Sequence, residues 1–242
     1  MSHDIVVIIP ARGGSIGLPG KNIKPLLDLP LIAWSVLFAR SLQFVSRVIV
    51  STDDSSIASL ASQFGAEIPF LRDKSISTST AKSSCVVLDV LRRCNISSDS
   101  IFLLLEPTSP YRSVDDYHKL IKLFEKPEVN KVVSVTQSIS SAPHFQYFFD
   151  TSSNKLSSKL IEDVPTELRR QDVPESFYLD GSFYASRVLA FHENPSFVDT
   201  KTHAFVSNYF SQFEIDSLDD FVLLEAIISH LGLPCWVSKY LD

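Results

Sequence analysis

Four of the seven glycines in this 242-residue chain fall within one short stretch, Arg12-Gly13-Gly14-Ser15-Ile16-Gly17-Leu18-Pro19-Gly20-Lys21-Asn22. In a protein so poor in glycine, that concentration marks backbone that must turn sharply or approach something closely. The stretch follows an apolar run at residues 5–9. A loop at the carboxyl end of a first parallel strand lies where open α/β sheets bind ligands. Successive backbone N–H groups there form an anion-binding concavity. Arg12 and Lys21 add fixed positive charge, Arg as a fork for two oxygens and Lys as a point charge. The chemistry this pattern suits is the holding of phosphates. Two common phosphate motifs are excluded: a P-loop needs Gly five residues before the Gly-Lys pair and Ser or Thr after it, where this chain has Ser15 and Asn22. The dinucleotide pattern G-x-G-x-x-G is also absent. On the motif alone, a plain glycine-rich turn remains the competing reading.

The elements that must position such a loop are legible around it. Short apolar runs at residues 5–9, 47–51, 101–105 and 131–135 are nearly continuous, as strands covered on both faces should be. Segments of helical period separate them, and that alternation predicts βαβ units with a parallel sheet. Ile57, Leu60, Ala61 and Phe64 fall on one helical face and Gly65 follows as a stop. Tyr117, Leu120, Ile121 and Phe124 repeat the pattern after Ser113, with Asp116 placed to close a capping box. Ser217 and Asp220 form the same box before Phe221, Leu224 and Ile228, and Gly232 and Pro234 end that helix. The rhythm fails over residues 138–173, which hold Pro143, Pro165 and the aromatics Phe145, Tyr147, Phe148 and Phe149. An aromatic cluster is costly to leave in water, so this excursion is expected to pair subunits or cover a site.

Composition narrows the class. Hydrophobic residues at 45% and charged residues at 21% are ordinary globular values. A net charge of -6 disfavours a general nucleic-acid binder, which needs a basic face. Cys85, Cys94 and Cys235 are too few and scattered for a disulfide framework. The amino terminus lacks the pattern of a signal peptide, and no uncharged run approaches the ~18 residues of a membrane span. A cytoplasmic location is expected. His144, His192, His203 and His230 have no ligand spacing and are read as structural.

Five motifs, in order, then carry a resemblance. IPARGGSIGLPGKNIKPL, STDD at 51–54, LLLEPTSPYR at 103–112, RRQDVPESFYLDGSFYASR at 169–187 and FEIDSLDDF at 213–221 together resemble the CMP-sialic acid synthetase family, the cytidylyltransferases that activate sialic and related nonulosonic acids. The resemblance covers nearly the whole chain. It implies one three-layer α/β/α, Rossmann-like nucleotidyltransferase domain over residues 1–242, with a mostly parallel sheet and a protruding dimerisation element at 138–173. It implies CMP transfer from CTP, with Mg²⁺, to the anomeric hydroxyl of a nine-carbon acidic sugar. Ala11, Arg12, Gly13, Gly14, Ser15, Lys21, Asn22 and Ser83 would hold the nucleotide. Arg12, Lys21 and Asp216 would be catalytic, and Glu214 and Asp216 would share the metal, a hard cation suited to oxygen ligands. Glu106, Thr108, Ser109, Arg112, Asp180 and Tyr184 would line the sugar pocket, and Arg170 would reach the neighbouring subunit's site. Arg112 has a second reading, as a structural partner of the following helix. A homodimer is expected, with neither nucleic acid nor membrane as partner.

Four positions depart from the family pattern. Ile16 stands where the family usually has Lys, Glu106 where it has Gln, Asp180 where it has Asn, and Glu214 where it has Asp. One positive charge is lost from the loop, and negative charge is gained near the sugar. These changes fit either a substrate with a cationic or hydrogen-bond-donating substituent or reduced activity. Retention of Arg12, Lys21, Asn22, Arg170 and Asp216 favours a working enzyme.

Overall fold

Val6 and Ile8 turn to one side of the first strand, and Ile5, Val7 and Ile9 turn to the other. All five are buried, in two separate apolar clusters. That alternation is what a strand covered on both faces requires. The computed structural model describes residues 4–15, 17–138, 142–159 and 169–241. In chain order the strands are β1 (Ile5–Pro10), β2 (Pro25–Leu26), β3 (Leu29–Pro30), β4 (Val45–Ser51), β5 (Ile101–Leu104), β6 (Lys131–Gln137), β7 (Tyr147–Asp150), β8 (Lys155–Lys159), β9 (Phe177–Arg187) and β10 (His203–Val206). The helices are α1 (Leu31–Ser41), α2 (Ser55–Gln63), α3 (Ser83–Arg93), α4 (Val114–Phe124), α5 (Val188–Glu193), α6 (Leu218–Leu231) and α7 (Cys235–Ser238).

Six strands form the central sheet in the order β10-β6-β9-β5-β1-β4. β1 runs parallel to β4 and β5, and β6 parallel to β10. β9 alone is antiparallel, between β5 and β6. α1, α2, α4, α6 and α7 contribute to the larger cluster on one face, and α3 and α5 to the smaller one opposite. This is the expected three-layer, mostly parallel architecture.

The caps show how local sequence sets the boundaries. Ser217 and Asp220 form the reciprocal capping box at the start of α6. At α4 the box does not form: the Ser113 hydroxyl accepts from the Asp115 N–H. Asp116 is instead buried, accepting from the Asn208 N–H at 2.7 Å and from Lys119 at 2.8 Å. A long-range partner has taken the carboxylate from its local one.

The irregular excursion contains a hairpin, β7–β8, that forms its own two-stranded sheet. Tyr147, Phe148, Phe149 and Leu156 are exposed on it. Residues 139–141 and 160–168 of the expected excursion lie outside the described residues. Among the described residues, no helix is long and apolar enough to cross a membrane.

Candidate active site

The glycine loop leaves β1 at the carboxyl edge of the sheet and is tied down at both ends. Asn22 is buried and donates its side-chain N–H to the Arg12 carbonyl at 3.0 Å, so the two limbs of the loop are clamped together. Lys21 donates to the Ile215 carbonyl and to Asp216 Oδ1, both at 2.9 Å. The Gly13 N–H donates to Asp53 Oδ1 at 3.0 Å. A Cβ on Gly13 would lie 2.8 Å from Asp54 Oδ2, so the loop passes too close to the start of α2 for any side chain there. Asp54 itself caps α2 through the Ser56 and Ile57 N–H groups.

Two cavities open beside this loop. The larger, of about 400 Å³, is lined by Arg12, Ser15 and Lys21 of the loop together with Glu106, Thr108, Glu214 and Asp216, and the Lys21–Asp216 pair bridges the two groups. The smaller, of about 190 Å³, is lined by Arg12, Arg72, Thr78, Ser79, Ser83 and Glu106 among others. Arg12 and Glu106 belong to both and mark their junction. Ser83, at the start of α3, donates to Glu106 Oε1 at 3.3 Å. Arg72 is a near-fully buried guanidinium that the motif reading missed. A single arginine closing the run Pro69-Phe70-Leu71 was its only signal.

The acidic wall has perturbed protonation. Burial pushes the Glu106 carboxyl above the ordinary range, opposed by the Ser83 hydroxyl and by the charges of Arg112 and Lys21. Glu214 is also raised, by desolvation first and then by the negative charges of Glu106 and Asp216. Ser109, fully buried, donates to Glu214 Oε1 at 3.3 Å. Gly181 has φ +74°, and a Cβ there would overlap Glu214 Oε1. The carboxylate is therefore seated where β9 has no side chain. Like charges gathered in one cleft favour a cation between them, and carboxylate oxygens suit a hard divalent ion. Among the described residues, no group of three or more His, Cys, Asp and Glu is arranged to hold a metal.

Several expected sugar contacts are turned elsewhere. Arg112 is 1% exposed; its Nε, Nη1 and Nη2 donate to the Ser182 carbonyl, the Ser35 hydroxyl and the Glu106 carbonyl at 2.8, 3.0 and 2.6 Å. Burial lowers its pKa to about 9. Arg112 was expected either to line the sugar pocket or to support the following helix; its fork is engaged by β9, α1 and the residue that opens the acidic wall, a structural use on other elements than that helix. Asp180, also expected to line the sugar pocket, is turned inward too. It is 2% exposed and accepts from the hydroxyls of Ser134, Thr136 and Ser207 and from the Ser182 N–H, an arrangement that stitches β6, β9 and the residue after β10. Ala11 buries its methyl in the core and gives its N–H to the Ser51 carbonyl at 2.9 Å, so that N–H is not offered to a ligand. Tyr184 is half-buried, packs on Phe197 with ring centroids 5.3 Å apart, and is raised to about 12 by burial. Gly14 has open space where a Cβ would stand. Arg170 opens a short 3-10 turn, Arg170–Asp172; its side chain and the whole of Ile16 lie outside the described residues.

A mostly parallel sheet carrying a cation-bearing glycine loop and facing carboxylates at its carboxyl edge defines a nucleotide-handling α/β enzyme. Comparison with known proteins makes this specific. Residues 6–200 match the family model described as cytidylyltransferase, and the chain belongs to that family of nucleotidyltransferase enzymes. It is 32% identical to the CMP-N,N'-diacetyllegionaminic acid synthase of Legionella pneumophila, over 93% of this chain and 96% of that one. It is 28% identical to the pseudaminic acid cytidylyltransferase of Campylobacter jejuni, over 88% and 91% of the two chains. In fold it is similar to a CMP:2-keto-3-deoxy-manno-octonic acid synthetase solved in complex with CTP, with a TM-score of 0.68 and 17% identity over 94% of this chain and 99% of that one.

Proposed function

We propose that this enzyme transfers CMP from CTP to the anomeric hydroxyl of a nonulosonic acid of the neuraminic or legionaminic type, releasing pyrophosphate. The observation that carries the reading is the larger cleft, which gathers Arg12 and Lys21 of the loop with Glu214 and Asp216. The relatives' names, which include legionaminic, pseudaminic and N-acylneuraminic acid enzymes, support the substrate class.

Arg12 and Lys21 neutralise the triphosphate and hold charge that grows on the leaving pyrophosphate, which is the kind of stabilisation that lowers such a barrier. Asn22 keeps the two limbs of the loop at one spacing, and Ser15 and Ser83 offer neutral polar contacts. The mutual repulsion of Glu106, Glu214 and Asp216 fits a divalent cation held by Glu214 and Asp216. Mg²⁺ there would supply positive charge to the phosphate oxygens. The exposed aromatics of β7–β8 support a homodimer whose arm covers the partner's cleft, with Arg170 as its contribution to the sugar carboxylate.

The decisive experiment incubates the protein with CTP, Mg²⁺ and, separately, neuraminic, legionaminic, pseudaminic and 3-deoxy-octulosonic acids, and measures pyrophosphate. Release with the first two is expected. Release with pseudaminic or 3-deoxy-octulosonic acid alone would reassign the sugar. Binding of CTP without release from any of them would leave a nucleotide-binding protein without transferase activity.

A further inference from the structure

Asp53 stands directly behind the loop and lines neither cavity. Its Oδ1 accepts the Gly13 N–H at 3.0 Å and lies 3.8 Å from Arg72 Nη2. One carboxylate thus joins the first glycine of the loop to the guanidinium in the wall of the smaller cavity. Arg72 is held from its own side as well: its N–H donates to the Thr52 carbonyl at 2.7 Å and its Nε to the Ser77 hydroxyl at 3.1 Å. Arg12 and Arg72 line the same cavity; burial first, and the like charge of Arg12 after it, lower the pKa of Arg72, and Asp53 opposes both by favouring its charged form.

Two guanidiniums converging on one small cavity need a counter-charge that does not occupy the space meant for a ligand. Asp53 supplies it from the rear, with its side chain only 25% exposed. We propose that Asp53 is a positioning residue for the triphosphate: it fixes Gly13 and Arg72 so that the loop's N–H groups and both guanidiniums face the same anion. The inference goes beyond the transfer reaction but rests on the reading of the loop as the triphosphate site.

The test compares Asp53→Asn and Asp53→Ala with Arg12→Ala, measuring CTP and cytidine binding by calorimetry, kcat and KM for CTP, and melting temperature. The asparagine keeps an acceptor for Gly13 and removes the charge beside Arg72. It should raise KM for CTP about tenfold, the worth of one charge-assisted contact. The value of kcat should stay within about threefold, because the loss falls on ground and transition state alike. Cytidine, which has no phosphates, should bind nearly as in the parent. Asp53→Ala should weaken CTP further; should it fail to fold, the asparagine variant still decides. Unchanged CTP affinity with a lowered melting temperature would reduce Asp53 to a structural turn residue. Tighter CTP binding would make it a competing anion, which also overturns the proposal. Arg12→Ala separates the two layers: if it leaves CTP binding intact, the loop is not the triphosphate site. If it weakens CTP while Asp53→Asn does not, only the role of Asp53 fails.

Discussion

The glycine loop of residues 12–22 is held by groups that reach it from distant elements, whereas the facing acidic wall is held from beneath. The loop's anchors are Asp53 after β4, Asp216 before α6 and its own Asn22. The wall's anchors are Arg112, donating into the Glu106 carbonyl, and Gly181, whose missing side chain seats Glu214. Of the first kind, Asn22 and Asp216 line the larger cleft, and Asp53 holds the loop from behind it. Those of the second kind are sealed in the core. Loss of a loop contact should therefore appear in catalysis, and loss of a wall support in folding.

Arg12→Ala and Lys21→Ala break the comparison most sharply on the loop side. Each should lower kcat/KM by about 10²–10³, the usual effect of removing one electrostatic donor, while melting temperature changes little. Steady-state pyrophosphate release alongside thermal denaturation would check both halves. On the wall side, Arg112→Met should cost about 3 kcal/mol or more in urea denaturation, because three acceptors lose a donor at roughly 1–3 kcal/mol each. A stable variant with weakened sugar affinity would instead restore Arg112 to the sugar pocket.

Gly181→Ala sharpens the boundary between the two sides. Its methyl would displace the Glu214 carboxylate, so activity should fall about tenfold, since a misplacement far smaller than a side chain can cost that much. The magnesium concentration for half-activity should rise, and a titration unaltered from the parent's would show that Glu214 does not need this seat.

Smallest is Glu106→Gln. The folded carboxyl is raised, so its contribution to stability is present at low pH and is lost as pH rises through the raised value. The glutamine escapes that penalty. It should lift the melting temperature of the free protein by about 2–4 °C, what 1 kcal/mol is worth at this size. The gain should be larger at pH 8 than at pH 4; a gain independent of pH would mean that Glu106 is not the source.

The glycine loop was the more legible in sequence because its signal is local: glycine density, two cations and an asparagine within 11 residues. Four of the six strands of the central sheet, β1, β4, β5 and β6, were legible too as nearly continuous apolar runs, whereas β9, interrupted by Asp180 and Gly181, and the short β10 were not. α1 was not. Nine of its residues are buried in succession from Leu31 to Ala39, which erases the helical period. The β7–β8 hairpin was hidden for the opposite reason, since its hydrophobic residues are exposed and follow no alternation that burial would impose. Arg112 and Asp180 carried the right residue types for a sugar pocket. Only tertiary packing, with backbone carbonyls and three hydroxyls as partners, turns them inward.

β9 has one further consequence. Its neighbours all arrive at the ligand-bearing edge by their carboxyl ends, so their connections must travel back across the molecule. β9, running the other way, starts at that edge, where Phe177 pairs with Gln137 and the Ser138 N–H meets the Ser176 carbonyl at 2.8 Å. The β7–β8 hairpin lies between those two serines in sequence, so the chain departs from β6 and rejoins β9 at one point of that edge. The length and content of that insertion can change without shifting any strand in the sheet. Reversing one strand has made the hairpin an attachment to one edge of the sheet rather than a part of it.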